Sequence, residues 1–254
     1  MEAFEHAGGV LAYEVVGSGT SGVVLHTGSG GDRQMWRQAG YVDGLADAFR
    51  LILFDHRGHG ESSLPAQLGP GSHSVGASVA DVVALLDHLG LERVAFLGYS
   101  YGARVGYQLA AEHPARVAAL VALGGVDGDD EDPQDWLADG RLIRAEGLAA
   151  VLGTAEPAPA WLIDNLTATD PRVVAREFES LASWSPWPLF PRIECPALIV
   201  AGAHEATLCP AAAAAIPDGR CETLPGLGHL GAYVRSDLVL AHARPFLVAH
   251  TTSS

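Results

Sequence analysis

The 254 residues carry 30 acidic against 15 basic side chains, a formal charge of −15. This excludes the clustered cations that nucleic-acid phosphates or an anionic membrane surface would require. With 48% hydrophobic and 18% charged residues the chain is not disordered, and no apolar run reaches the roughly 18 residues of a spanning helix.

Met1-Glu2-Ala3-Phe4-Glu5-His6 lacks the basic start and apolar core of a signal peptide. Cys195, Cys209 and Cys221 are too few and too scattered for a disulfide framework, and no Cys-x-x-Cys pair offers a zinc site. A soluble cytoplasmic protein with free thiols is the expectation.

In chain order, Val10 to Val16, ahead of Gly17-Ser18-Gly19, reads as an early antiparallel strand. Val23-Val24-Leu25, Leu51-Ile52-Leu53-Phe54, Val94-Ala95-Phe96-Leu97 and Val117 to Leu123 are continuous apolar runs of the kind buried on both faces of a sheet. Between the second and third, Val79, Val82, Val83, Leu86 and Leu89 line one face of a helix, and Gly90 stands where it should stop. Tyr101 to Glu112 reads as a helix with Val105 and Leu109 inward, ending at His113 before Pro114. Strands alternating with helices predict βαβ crossovers and a mostly parallel sheet.

The composition changes after Gly124. Asp127, Asp129, Asp130, Glu131, Asp132 and Asp135 open an acidic stretch. Leu142-Ile143 and Leu148 to Leu152 fit one helix; Pro171 to Trp184 fits another, with Asp170 as N-cap before a first-turn proline. Buried-strand character returns at Pro196 to Ala201, and Ala211 to Ala215 reads as a short helix. Residues 1–126 and 192–254 are thus predicted to build the sheet domain, and 127–191 a helical insertion over its edge. A segment of that size, about 65 residues, would be marginal alone.

Gly98-Tyr99-Ser100-Tyr101-Gly102 lies between the third buried run and a predicted helix. A strand-to-helix turn this tight strains its apex, and side chains at 98 and 102 would collide; glycine at both removes the collisions. Ser100 is then presented at the carboxyl end of a central strand, where open α/β sheets bind ligands. The free N–H groups of the next helix face the same spot, which makes the Tyr101 backbone N–H a natural oxyanion donor.

With these residues the chain resembles the serine hydrolases of the α/β-hydrolase fold over nearly its whole length. Three further segments carry the resemblance. His26-Thr27-Gly28-Ser29-Gly30-Gly31 stands where the family has its oxyanion loop. Asp55-His56-Arg57-Gly58-His59-Gly60-Glu61-Ser62 is similar to its Asp-x-Arg-Gly-x-Gly-x-Ser segment. Leu227-Gly228-His229 is similar to its terminal Gly-His. The resemblance implies a mostly parallel central sheet flanked by helices with a small helical cap, and a triad in the order Ser, acid, His.

It implies Ser100 as nucleophile and His229 as base, on a flexible glycine-rich loop after the strand-like Cys221 to Leu224. His56 and His59 are expected to hold their loop together. The acid's offset from Gly202 is kept, but Glu205 stands where the family has aspartate; the alternative is Asp127, where some relatives carry theirs. In the oxyanion loop Thr27-Gly28 replaces His-Gly, so the Ser29 N–H joins that of Tyr101.

Trp36, Tyr99, Trp136 and Trp161 are candidates to line the substrate pocket, and Tyr99 and Tyr101 could offer hydroxyls. No cofactor or metal is expected: the His and Asp positions lack ligand spacing and there is no phosphate loop. The resemblance implies hydrolysis of an ester, thioester or lactone of a small to medium apolar molecule, in the manner of enol-lactone hydrolases, small esterases or cofactor-free haloperoxidases. A carbon–carbon bond hydrolase on the same triad, and a non-hydrolytic cyclase or ligand receptor, are the alternatives. The partner is a small molecule, not nucleic acid or membrane, and homo-oligomerisation stays open.

Overall fold

The computed structural model describes residues 2–64, 71–128, 132–152, 158–203 and 205–251. Asp129, Asp130 and Glu131 of the acidic stretch, His204 and Met1 lie outside the described residues.

The chain opens with a hairpin, β1 (Glu2–His6) and β2 (Gly9–Val16). Its two-residue turn, Ala7-Gly8, has φ of +50° and +79°, the left-handed geometry that suits the strand twist. The apolar runs form β3 (Gly22–His26), β4 (Arg50–Phe54), β5 (Val94–Tyr99), β6 (Val117–Leu123) and β7 (Ala197–Gly202); β8 (Gly219–Leu224) closes the edge. The order is β1-β2-β4-β3-β5-β6-β7-β8. The pairs β1/β2 and β2/β4 are antiparallel and every other pair is parallel.

A parallel sheet needs cover on both faces, and the alternation of side chains divides the core in two. Val24, Ile52, Phe96, Leu120 and Ile199 face one way, Leu25, Leu53, Leu97, Val121 and Val200 the other, and all ten are buried. The first face is covered by α3 (Val75–His88) and α4 (Tyr101–Glu112), through Val79, Val82, Leu86, Val105 and Leu109. Gly90, at φ +64°, ends the α3 region as predicted.

Against the second face lie two short helices after β3, Gln34–Gln38 and Tyr41–Leu45, and the last helix, Ser236–Thr251. Among the described residues no helix is long and apolar enough to cross a membrane.

Between β6 and β7 come four helices, numbered from here α5 (Pro133–Glu146), α6 (Ala149–Leu152), α7 (Ala160–Ala168) and α8 (Pro171–Leu181). The single helix expected over 142–152 is two. Gly147, at φ +89° and ψ 167°, breaks it, a conformation open to glycine and costly for other residues. Asp170 caps α8 as predicted, accepting the Arg172 N–H at 2.8 Å.

The expectation of three free thiols is corrected: Cys209 and Cys221 form a disulfide, and only Cys195 is free. Cys209 opens the helix Cys209–Ala215, which packs back over β7 and β8 and brings the two Cα atoms to 5.8 Å. A return of helix over strand leaves no mark in cysteine spacing. Burial pushes the Cys195 thiol up to about 11.

Candidate active site

Ser100 sits between β5 and α4 at φ +54° and ψ −113°; Ala7 is the other non-glycine residue with positive φ among those described. Such a conformation costs about 1–3 kcal/mol and persists only where its surroundings over-determine it. Here the Ser100 N–H donates to Leu123 O at 2.9 Å, and its carbonyl accepts from Ala103 and Arg104 at 3.0 and 3.2 Å. A Cβ on Gly98 would lie 2.2 Å from Gly102 O, and one on Gly102 2.2 Å from His26 O, so backbone alone fills both places. The collisions inferred from the sequence are therefore present, and they lock the apex.

Four other strand ends converge on it. Gly28, after β3, approaches so closely that a Cβ there would meet the Ser100 Cβ at 3.0 Å. Gly124 follows β6, Glu205 follows β7, and His229 follows β8, opening the helix His229–Val234. A Cβ on Gly124 would lie 2.9 Å from Glu205 Oε2 and 3.0 Å from His229 Cε1.

Glu205 Oε1 accepts the Gly125 N–H at 2.7 Å, and Oε2 stands 3.6 Å from His229 Nδ1. That is contact distance rather than a formed hydrogen bond, as is common before substrate binds. Burial alone would push the Glu205 carboxyl up; His229, the Gly125 N–H and Arg104 outweigh it and hold the group below the usual carboxylate range. The His229 ring stacks on Tyr99, centroids 5.0 Å apart, and the Tyr99 hydroxyl donates to His229 O at 3.3 Å.

Asp127, the alternative acid, is engaged elsewhere. Arg104 forks onto its carboxylate, with Nε–Oδ2 at 2.8 Å and a second bond from Nη2 to Oδ1, and its carbonyl accepts the Trp187 indole N–H at 2.9 Å.

In the loop after β3, the Gly30 N–H donates to His59 Nε2 at 3.1 Å and the Gly31 N–H to Gly28 O at 3.2 Å. Two of the loop's donors are thereby committed, while Ser29 lines the cavity with Ser100 and His229. The Asp55 to Ser62 segment braces this loop. Asp55 accepts N–H groups from Arg33 at 2.7 Å and Glu61 at 2.9 Å, and Arg57 forks onto Asp81 at 2.7 and 2.5 Å.

The cavity measures about 880 Å³, and Tyr99 and Trp136 are among the residues lining it. Three other expectations are corrected. Trp36 is fully buried against Tyr41 and Tyr233 in the core and does not reach the cavity. Trp161 packs against the same core cluster from α7 and is not among the cavity-lining residues. The Tyr101 hydroxyl turns inward to His73 O at 2.9 Å, because a residue on the first turn of a buried helix faces the core. Leu148, Leu166, Phe178 and Leu227 form apolar wall, and Arg104 and Asp139 are polar lining that the sequence reading missed. Arg104 was findable, since it stands one helical turn after Ser100 and so shares its face.

A second group of titratable side chains lies buried beneath the loop. His56, His59 and Glu177 bring potential ligand atoms within 4.8 Å of one another. Glu177 comes from α8, so no local spacing could announce it.

Burial holds His56 and His59 neutral, lowering both to about 3, and drives His26 well down too, with neighbouring imidazoles and Arg57 adding to the shift. In the unfolded chain the same groups protonate near 6.5. Below that pH the unfolded state binds the extra protons, so each buried histidine costs up to about 1.4 kcal/mol of stability per pH unit. Glu205, with its depressed carboxyl, acts in a lower window: its contribution is full above the ordinary carboxylate range and is lost as pH falls through it. Melting temperature should therefore be flat above about pH 7 and fall steadily from pH 6.5 to 5, before carboxylates titrate. Thermal melts across that range check it; a constant value down to pH 5 would mean that these imidazoles are not held neutral.

The family described as alpha/beta hydrolase fold matches residues 23–159. The chain is 29% identical over 211 residues to 3-oxoadipate enol-lactonase 2 of Acinetobacter baylyi, covering 77% of this chain and 76% of that one. It is 36% identical over 172 residues to a Caulobacter sp. protein provisionally named carbamate hydrolase RutD, covering 66% and 62%. Among solved structures, the enol-lactonase from Burkholderia xenovorans LB400 superposes with a TM-score of 0.82 at 28% identity, covering 97% of this chain and 100% of that one.

Proposed function

The chain belongs to the α/β-hydrolase-fold family, and from that premise we propose that it is a serine hydrolase cleaving an ester, thioester or lactone of a small to medium apolar molecule through an acyl-enzyme on Ser100. The observation that carries the reading is a serine on a strained elbow, facing the same cavity as an imidazole whose Nδ1 is met by a buried carboxylate.

In this reading Glu205 keeps the proton of His229 on Nδ1, so that Nε2 is free to take the Ser100 proton. Ser100 Oγ attacks the substrate carbonyl, and the oxyanion that forms is met by the N–H groups of Ser29 and Tyr101, the latter at the positive end of α4. His229 then protonates the leaving group and activates the water that releases the acid. The imidazolium formed on the way is stabilised by Glu205, which is ionised at neutral pH because its carboxyl is held low.

The cavity's volume suits a small molecule, and its walls of Leu148, Leu166, Phe178 and Leu227 favour an apolar acyl or alcohol part. Similarity to enol-lactonases supports a cyclic or small ester over a long-chain one.

A fluorophosphonate probe tests the reading. One adduct per chain is expected by intact mass, mapped to the peptide holding Ser100. Absence of labelling in folded protein, or labelling elsewhere, would remove it.

A further inference from the structure

Glu205 and His229 follow adjacent strands, β7 and β8, and β8 is the edge of the sheet. Two links join the segments that carry them. The first is close to the site: the Ala203 N–H, just past β7, donates to Leu227 O at 2.6 Å, two residues before His229. The second is the disulfide. Cys209 stands four residues after Glu205, and its N–H donates to Glu205 O at 3.0 Å. Its partner Cys221 lies on β8, opposite Ile199 of β7 and eight residues before His229. The turn that holds Glu205 is thus tied at one end to the His229 loop and at the other to the strand that leads into it.

Packing holds the far end of that turn weakly. The helix that Cys209 opens reads Cys-Pro-Ala-Ala-Ala-Ala-Ala. Stabilisation by burial scales with apolar area, so a helix of alanines gains far less from its neighbours than one bearing leucines. Glu205 Oε2 already stands 3.6 Å from His229 Nδ1, and any retreat of the turn would part them.

Cys209 is fully buried and Cys221 partly so. Exchange with a dithiol therefore begins at Cys221. The reagent's thiolate attacks Cys221 Sγ, the S–S bond breaks, and Cys209 leaves as a thiolate that takes a proton. The reagent's second thiolate then displaces Cys221, which is protonated in turn. Two electrons and two protons enter the protein, and the dithiol ends as a disulfide.

We propose that the Cys209–Cys221 disulfide is a positioning crosslink for the triad acid, and that its reduction turns the hydrolase down: with Cys209 released, the turn carrying Glu205 draws away from His229 while the Ser100 elbow, in the middle of the sheet, stays as it is. This rests on the serine-hydrolase reading above. A misplacement of one ångström in catalytic geometry costs up to about 100-fold in rate.

The test follows hydrolysis of an activated ester by oxidised protein and by protein reduced with dithiothreitol, with thiols titrated after denaturation and active sites counted by complete fluorophosphonate labelling. One thiol per chain is expected in the oxidised form, from Cys195, and three in the reduced form. Reduction should lower kcat by about 10-fold with KM within about 2-fold, and oxidised glutathione should restore it. Cys209→Ala/Cys221→Ala should turn over like reduced wild type and ignore dithiothreitol. In Glu205→Gln, reduction should change kcat by less than about 2-fold, because crosslink and carboxylate act through one contact. A merely structural disulfide would lower both proteins alike.

Equal kcat in the two redox states of wild type, or an equal proportional loss in Glu205→Gln, would overturn the proposal. So would three thiols after treatment with oxidised glutathione, or loss of the near-ultraviolet circular dichroism on reduction, since the bond would then be absent or would hold the whole fold. If Glu205→Gln does not fold, Glu205→Ala takes its place. A wild-type chain that takes no label removes the serine-hydrolase reading itself, whereas full labelling with redox-independent kcat removes the crosslink's role alone.

Discussion

Ser100→Ala is expected to lower kcat for an activated ester by about 10⁴-fold or more, with a melting temperature close to wild type. The substitution removes one oxygen and little else. Alanine at φ +54° is as strained as serine there, and the bonds that hold the apex run through the backbone N–H and carbonyl of residue 100, not through its side chain. Gly98 and Gly102, which make the turn sterically feasible, are untouched. Residual turnover above water would reflect the oxyanion donors and the pocket. Steady-state kinetics on active-site-titrated protein, with calorimetry alongside, would measure it. A folded variant that keeps most of its activity would end the acyl-enzyme reading.

The second large effect concerns the acid. Glu205→Gln keeps the shape and can still accept the Gly125 N–H through its carbonyl, but it turns an amide N–H₂ toward His229 Nδ1. That favours the tautomer with the proton on Nε2, which cannot take a proton from Ser100, and it leaves the imidazolium without a counter-charge. A loss in kcat of up to about 10⁴-fold is expected, with KM little changed, as when an aspartate of a serine-protease triad becomes asparagine. Asp127→Asn should cost less than about 10-fold, because that carboxylate is paired with Arg104 and its loss disturbs the cavity wall rather than the imidazole. Measured side by side, with circular dichroism to verify folding, the ranking is decisive: a larger loss at Asp127 would move the acid to the end of β6.

Glutamate at 205 is one methylene longer than the family's aspartate, and its surroundings accommodate the difference. The Gly125 N–H anchors one oxygen and leaves the other facing His229. Gly124 makes room, since any side chain there would strike the carboxylate. The carboxylate at the end of β7 is therefore accommodated by glycines at the end of β6, a compensation between strands that are neighbours in space but distant in the chain.

The strands, α3, α4 and the elbow were determined by the sequence itself. Val23 to Leu25, Leu51 to Phe54 and Val94 to Leu97 are runs that only a doubly covered sheet can bury, and Gly98 and Gly102 answer a collision between near neighbours. Such signals are legible because their cause, a side-chain period or a turn, lies within a few residues. What tertiary structure alone decided has its cause elsewhere in the chain. Asp127 met Arg104. Trp36 and Tyr101 turned into the core, and Cys209 met Cys221 across a returning helix. Glu177 came down from α8 onto His56 and His59. In each case a polar or aromatic side chain had several partners of suitable chemistry, and its choice was made by the packing of segments distant in sequence, which bury one partner beside it and carry the others away.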